Sequence, residues 1–177
     1  MVEHITPPVA PPVAPPVTKN KRKRRNPDGL HFHDSFVLKH INVVRDNLWR
    51  LIQELDLRGQ HHDASKLQSP EREVYAEQAK QLVATEYGGS EYQELLKLVQ
   101  PAIDHHYANN RHHPEHWPDG IEDMDLVDIM EMLADWAAAS KCNKNGNIHK
   151  SIEMNTERFK MTPQLAKILE NTVNRYF

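Results

Sequence analysis

The stretch "FVLKHINVVRDNLWRLIQEL", residues 36–55, decides the fold class. Its apolar residues Val37, Ile41, Val44, Leu48, Leu51, Ile52 and Leu55 recur at steps of three and four. That is the period of one helix face and not the alternation of a strand. The spacing predicts a helix whose stripe faces a core. His40 falls inside the stripe and is expected to face the same way.

The period persists downstream. A second helix is expected over about 70–86, opened by Ser69-Pro70, a cap and first-turn pair. A third, over about 91–109, places Leu95, Val99, Ala102, Ile103 and His106 on one line, with Pro101 as a point of kinking or splitting. "DLVDIMEMLADWAAASKC" (125–142) is a fourth. Two shorter helices follow at about 148–160 and 163–175, the last with Thr162 as cap and Pro163 in its first turn. No alternating strand of useful length is present. The expected fold class is all-α, a compact domain of about five to seven helices over residues 31–177.

Residues 1–30 differ in composition and are expected to form a disordered tail. "PPVAPPVAPPV" (7–17) repeats a PPVA unit and predicts extended polyproline without a core. "KNKRKRRNPDG" (19–29) follows, with Lys21–Arg25 as five consecutive basic residues. The run reads as a solvated tail or as a contact to an acidic partner, to nucleic acid or, in a eukaryotic host, to an import receptor.

Bulk properties bound the remaining choices. A chain of 177 residues suits one domain with a sizeable core. Its net charge of −3 does not call for nucleic acid as the general partner. A single cysteine, Cys142, excludes an intramolecular disulfide and any multi-cysteine zinc site. No apolar run reaches the roughly 18 residues of a membrane span. The start "MVEHITPPVAPPVAPPV" lacks the layout of a signal peptide, so a cytoplasmic location is expected.

Histidine is the outlier. The chain has twelve, where ordinary usage gives about four. Ten lie between His31 and His116, six of them as adjacent pairs. "LRGQHHDASKLQSPE" (57–71) sets one such pair beside Asp63. His40 is expected on the inner face of the first helix, His62 and Asp63 just past its end, His106 on the inner face of the third, and Asp135 within the fourth. Imidazole nitrogen and carboxylate oxygen together suit a borderline divalent ion such as Mn, Fe, Zn, Co or Ni. Burying Asp135 and His40 without a partner would cost several kcal/mol.

In this order, H…HD…H…D on successive helices resembles the HD superfamily of metal-dependent phosphohydrolases. "HDASK" (62–66) carries the HD dipeptide, and "EMLADWAAASK" (131–141) is similar to the alanine-aspartate helix that supplies the last ligand there. "HHYANNRHHPEHW" (105–117) further resembles a small HD-like family frequent in bacteriophage genomes, over about His33 to Asn171.

The resemblance implies that His40, His62, Asp63 and Asp135 hold a principal metal. A second metal would take His106 and His112 or His113, with Asp63 bridging. The implied function is hydrolysis of a nucleotide or other small phosphoester by a metal-activated water held at Asp63. Lys66 and Arg111 would neutralise phosphate charge, and Asn110 would donate a hydrogen bond to the substrate. Trp117 would stack on a base or cover the core. Several HD nucleotidases place a glutamate where this chain has Lys66, which rules out a carboxylate base at that position. A metal-stabilised binding protein and an HD-fold diiron oxygenase are the alternatives. Glu131 reads as an exposed carboxylate or as a group orienting a ligand histidine.

Overall fold

The computed structural model describes the backbone of residues 28–84 and 90–177. The polyproline repeat and Lys21–Arg25 lie outside the described residues. Every regular element among the described residues is helical, so the chain is all-α. The six α-helices are α1 (Asp28–His61), α2 (Glu71–Ala84), α3 (Ser90–Asn109), α4 (Leu126–Cys142), α5 (Ile148–Arg158) and α6 (Pro163–Tyr176). Short 3-10 turns occupy Ala64–Leu67, Pro114–His116 and Gly120–Asp123. None of the described helices is long and apolar enough to cross a membrane. The chain falls into two units, Met1–Val43 and Val44–Phe177. Within the first, the described residues are the N-terminal part of α1; the second carries everything below.

Local chemistry sets the helix starts. Asp125 accepts from the amides of Val127 (2.8 Å) and Asp128 (3.0 Å), and Asp128 returns a bond from the Asp125 amide (3.0 Å), a reciprocal cap that opens α4. Asn147 and Thr162 cap α5 and α6 one way only, their side chains accepting from the first-turn amides, with Pro163 in the first turn of α6. Pro101 neither ends nor splits α3. Val99 and Ala102 on either side of it are fully buried, and that packing outweighs one missing amide bond.

The core of the second unit has two parts. Leu133, Ile152, Met161, Leu169 and Val173 interlock α4, α5 and α6, and Trp136 lies parallel to Phe159 at 6.4 Å between ring centres. On α3, Leu95, Val99, Ala102 and His106 are buried with Ile103 beside them, the line expected from the sequence.

The first helix departs from expectation. Val37, Ile41, Val44, Leu48, Leu51 and Ile52 are each 36–54% exposed. His40, which belongs to the first unit, is exposed as well. Periodicity specifies a face but not what covers it. In the last turns of α1, Leu55 is half-buried, and Arg58 reaches Asp128 (2.5 Å) and Glu131 (3.3 Å) on α4.

Candidate metal centre

His62 and Asp63 follow α1 directly. Asp63 sits in left-handed backbone at φ 56°, a conformation aspartate tolerates better than most residues and one that marks functional turns. The Lys66 amide bonds the Asp63 carbonyl at 2.9 Å and starts the 3-10 turn. This fold-back brings Asp63 to α3 and to the loop after it. His106 Nε2 lies 3.1 Å from Asp63 Oδ1, and His112 Nε2 lies 3.6 Å from the same oxygen. From α4, Asp135 Oδ1 comes within 3.4 Å of His62 Nε2, which is 3.6 Å from Asp63 Oδ2.

Three sets of donor atoms converge closely enough to hold an ion, each within 4.8 Å: Asp63 with His106, His112 and His113; His62 with Asp63 and Asp135; and His62 with His112 and Glu131. Asp63 is common to the first two sets. His40 is a member of none of them and belongs to the first unit. His61, exposed and bonded through Nδ1 to the Leu57 carbonyl, is also outside them.

Buried carboxylates fix how these histidines point. Glu131 Oε1 accepts from Nδ1 of His62 (2.9 Å) and Nδ1 of His112 (3.2 Å). Glu71, fully buried at the start of α2, accepts from Nδ1 of His106 (3.0 Å) and Nδ1 of His105 (2.7 Å). With Nδ1 as donor, a neutral imidazole turns a bare Nε2 lone pair to the other side. Here that side is Asp63. Asp63 Oδ1 and His112 Nε2 are both buried and without a hydrogen bond. His106 Nε2 and His113 Nε2 are hydrogen-bonded at 2.9 Å, with His113 the donor when His106 keeps its proton on Nδ1; the unpartnered lone pairs are those of Asp63 Oδ1 and His112 Nε2. Lone pairs gathered on one point repel unless a cation lies between them. Imidazole nitrogens oriented by carboxylates, with a shared aspartate, are the donor set of a borderline divalent ion.

The match to a family of unknown function (DUF5662) spans residues 30–175. The chain belongs to this family. Comparison with curated proteins and with solved structures gives no match.

In this DUF5662 chain the electrostatics agree with the geometry. Hydrogen bonds to Asp135 and Glu131 push the His62 imidazole up to about 10 against the effect of burial, so without an ion the ring carries a proton on both nitrogens, and an ion held by His62 would take the place of the Nε2 proton among the same three carboxylates. Burial pushes Asp63 up, but the nearby His106 and the Lys66 ammonium hold its carboxyl well below the usual range. Glu131 is depressed likewise, with burial outweighed by His112 and His62. Burial pushes His113 down to about 3, with His112 and His106 adding to the effect, so it stays a neutral donor.

The other expected residues take different places in this DUF5662 fold. Lys66 pairs with Asp63 Oδ2 at 2.5 Å and is half-exposed at the rim. Arg111 is committed to Asp128, with two bonds of 3.1 Å, and lies over the Trp117 ring at 4.6 Å. Trp117 Nε1 donates to the Arg111 carbonyl at 2.9 Å. Asn110 gives its amide hydrogens to Ser65 Oγ (2.8 Å) and the His106 carbonyl (2.7 Å). Asn110 and Arg111 thus brace the scaffold around the donors. His112 and His113 both contribute, and His106 is the member of its pair that does. Glu131 is an orienting group, its side chain only 12% exposed. Glu71 and Arg58 carry no sign of their role in the sequence. Glu71 reads there as an ordinary first-turn acid, and its burial follows from α2 lying against α3.

Proposed function

We propose that this chain is a metal-dependent phosphohydrolase of the HD type, acting on a nucleotide or another small phosphoester with one or two divalent ions. The reading is supported above all by the convergence of bare imidazole nitrogens on Asp63, with two buried polar atoms there lacking any hydrogen bond. An ion bound there would supply an acidified water and a Lewis acid for a phosphoryl oxygen. His62, Asp63 and Asp135 would hold one ion, and Asp63 with His106, His112 and His113 a second. Asp63 keeps its carboxylate charged for both sets. Glu131 and Glu71 hold the ligand imidazoles in the tautomer that leaves Nε2 free. Lys66, at the rim, presents a point charge to an incoming phosphate oxygen.

The test is elemental analysis of purified protein, wild type and Asp63→Ala, followed by a phosphatase screen with the metal found. One or two transition-metal ions per chain, lost in the variant, together with phosphate release are the expected result. Metal without phosphate release would leave a metal-stabilised binding protein. Iron with oxygen consumption would move the reading to an oxygenase. No metal in either protein after supplementation would overturn it.

A further inference from the structure

Asp63 divides its two oxygens between two sets of donors, and the sets differ in number, kind and exposure. Oδ1 lies 3.1 Å from His106 Nε2 and 3.6 Å from His112 Nε2, and His113 Nε2 is 2.9 Å from His106 Nε2. These separations bracket the roughly 3.3 Å between ligands of a tetrahedral ion whose bonds are about 2.0–2.1 Å. The set is three imidazoles and one carboxylate, and the side chains of His106 and His112 are only 4% and 2% exposed. His112 Nε2 and Asp63 Oδ1 have no hydrogen bond there. Oδ2 serves the other set, 3.6 Å from His62 Nε2, which is 3.4 Å from Asp135 Oδ1. That set is one imidazole and two carboxylates, with side chains 21–27% exposed. Its Oδ2 is already engaged, because the Lys66 ammonium pairs with it at 2.5 Å. The third set needs no ion, since Nδ1 of His62 and Nδ1 of His112 both donate to Glu131 Oε1.

We propose that the two sets are unequal sites for different ions: a closed zinc site at Asp63, His106, His112 and His113, and an open, exchangeable manganese site at His62, Asp63 and Asp135. The inference rests on the metal reading above and holds whichever reaction the centre performs. It reverses the order that the resemblance implies, in which His62, Asp63 and Asp135 hold the principal ion. Four protein donors complete a tetrahedral shell, the make-up of a zinc site that stabilises a fold, whereas three leave a position for water or substrate. Imidazole suits zinc, and carboxylate with water suits manganese. The closed site also joins the turn after α1 to the last turn of α3 and the loop that follows, so its ion adds binding free energy to folding. An ion there takes the place of the proton that His113 shares with His106. At the open site an ion must displace Lys66 from Oδ2 among partly exposed groups. Occupancy of the open site therefore follows the free ion concentration, while the closed site stays filled.

The experiment is titration of the metal-stripped full chain, first with Zn²⁺ and then with Mn²⁺. It is read by calorimetry, by the paramagnetic resonance of free Mn²⁺ and by thermal unfolding. One Zn²⁺ per chain is expected to bind at least about 100-fold more tightly than Mn²⁺ and to raise the unfolding midpoint. Mn²⁺ should then add one further ion per chain and move the midpoint little. Asp135→Asn, nearly isosteric at a partly exposed position, should keep the tight Zn²⁺ and lose the Mn²⁺. His113→Gln should lose the tight Zn²⁺ and keep a Mn²⁺ site. Lys66→Gln should strengthen Mn²⁺ binding about two- to fivefold, the range of an exposed ion pair, and leave Zn²⁺ binding unchanged. Circular dichroism of each stripped variant checks the fold. Loss of the tight Zn²⁺ in Asp135→Asn, with its retention in His113→Gln, would overturn the assignment in favour of the reverse order. Two ions of equal affinity, or Mn²⁺ binding unaffected by Asp135→Asn, would overturn it as well. Binding of neither ion by wild type would overturn the metal reading itself, and none of these outcomes depends on phosphate release.

Discussion

Replacing Glu131 with alanine tests whether a carboxylate behind the donors controls metal affinity. Its Oε1 accepts from both His62 Nδ1 and His112 Nδ1, while Oε2 accepts from Arg58. Removing it frees two imidazoles to rotate or to change tautomer, His62 beside Asp63 and Asp135 and His112 beside Asp63, His106 and His113, and dissolves the set that Glu131 itself completes with them. Loss of one such orienting partner typically lowers metal affinity by about 10–100-fold. With two donors released, the upper end is expected, about 100-fold, or about 2.7 kcal/mol. Arg58 keeps Asp128 and Glu54 as partners, so the fold should survive. Glutamine at position 131 retains a carbonyl oxygen able to accept both Nδ1 protons, and Glu131→Gln should recover most of the loss. The assay is calorimetric titration of metal-stripped protein with Mn²⁺ and with Zn²⁺, with thermal unfolding of each metal-free variant as the control. A Glu131→Ala affinity within twofold of wild type, in a folded protein, would refute the idea that this carboxylate orients the donors.

Four further outcomes follow from the same structure. The raised imidazole of His62 contributes stability to the metal-free protein that is full below its ordinary value of 6.5 and is lost as pH rises through about 10. Urea midpoints of stripped protein should therefore fall between pH 6.5 and 10, and His62→Gln should flatten that slope; an unchanged slope would contradict the assigned cause. Asp63 and Glu131, both depressed, act at the other end: their contribution is present above the ordinary carboxylate range and disappears as pH falls through their lowered values, read as an acid-side loss of stability that Glu131→Gln reduces. In the α4–α6 core, Ile152→Ala should cost about 2–5 kcal/mol. Gly146→Ala should cost about 1–3 kcal/mol, because its Cβ would fall 2.0 Å from the Ser140 carbonyl oxygen; a denaturation midpoint equal to wild type in either variant would contradict the packing described.

Much of the fold was legible in one dimension because its causes are local. Helical period, the caps at Asn147 and Thr162 and the proline after the latter each act over a few residues, and the buried line Leu95, Val99, Ala102, His106 could be read from spacing alone. Asp135 and His106 stand on apolar helix faces in the sequence, where a polar group is costly to bury unless something binds it; His62 with Asp63, and His112 or His113, were singled out by the order they share with the HD superfamily. What only the tertiary structure decided is non-local. Whether the α1 stripe is covered depends on what lies opposite it, and Leu48, Leu51 and Ile52 in the second unit are about half exposed although the helical pattern is sound. Glu71 and Glu131 became orienting groups because α2 lies against α3 and because α4 sets its acids behind the histidines. Asn110 and Arg111, polar and adjacent to donors in sequence, have their hydrogens taken by Ser65, His106 and Asp128. A residue's type states which bonds it can make; only the packed chain determines which partners are near enough to make them.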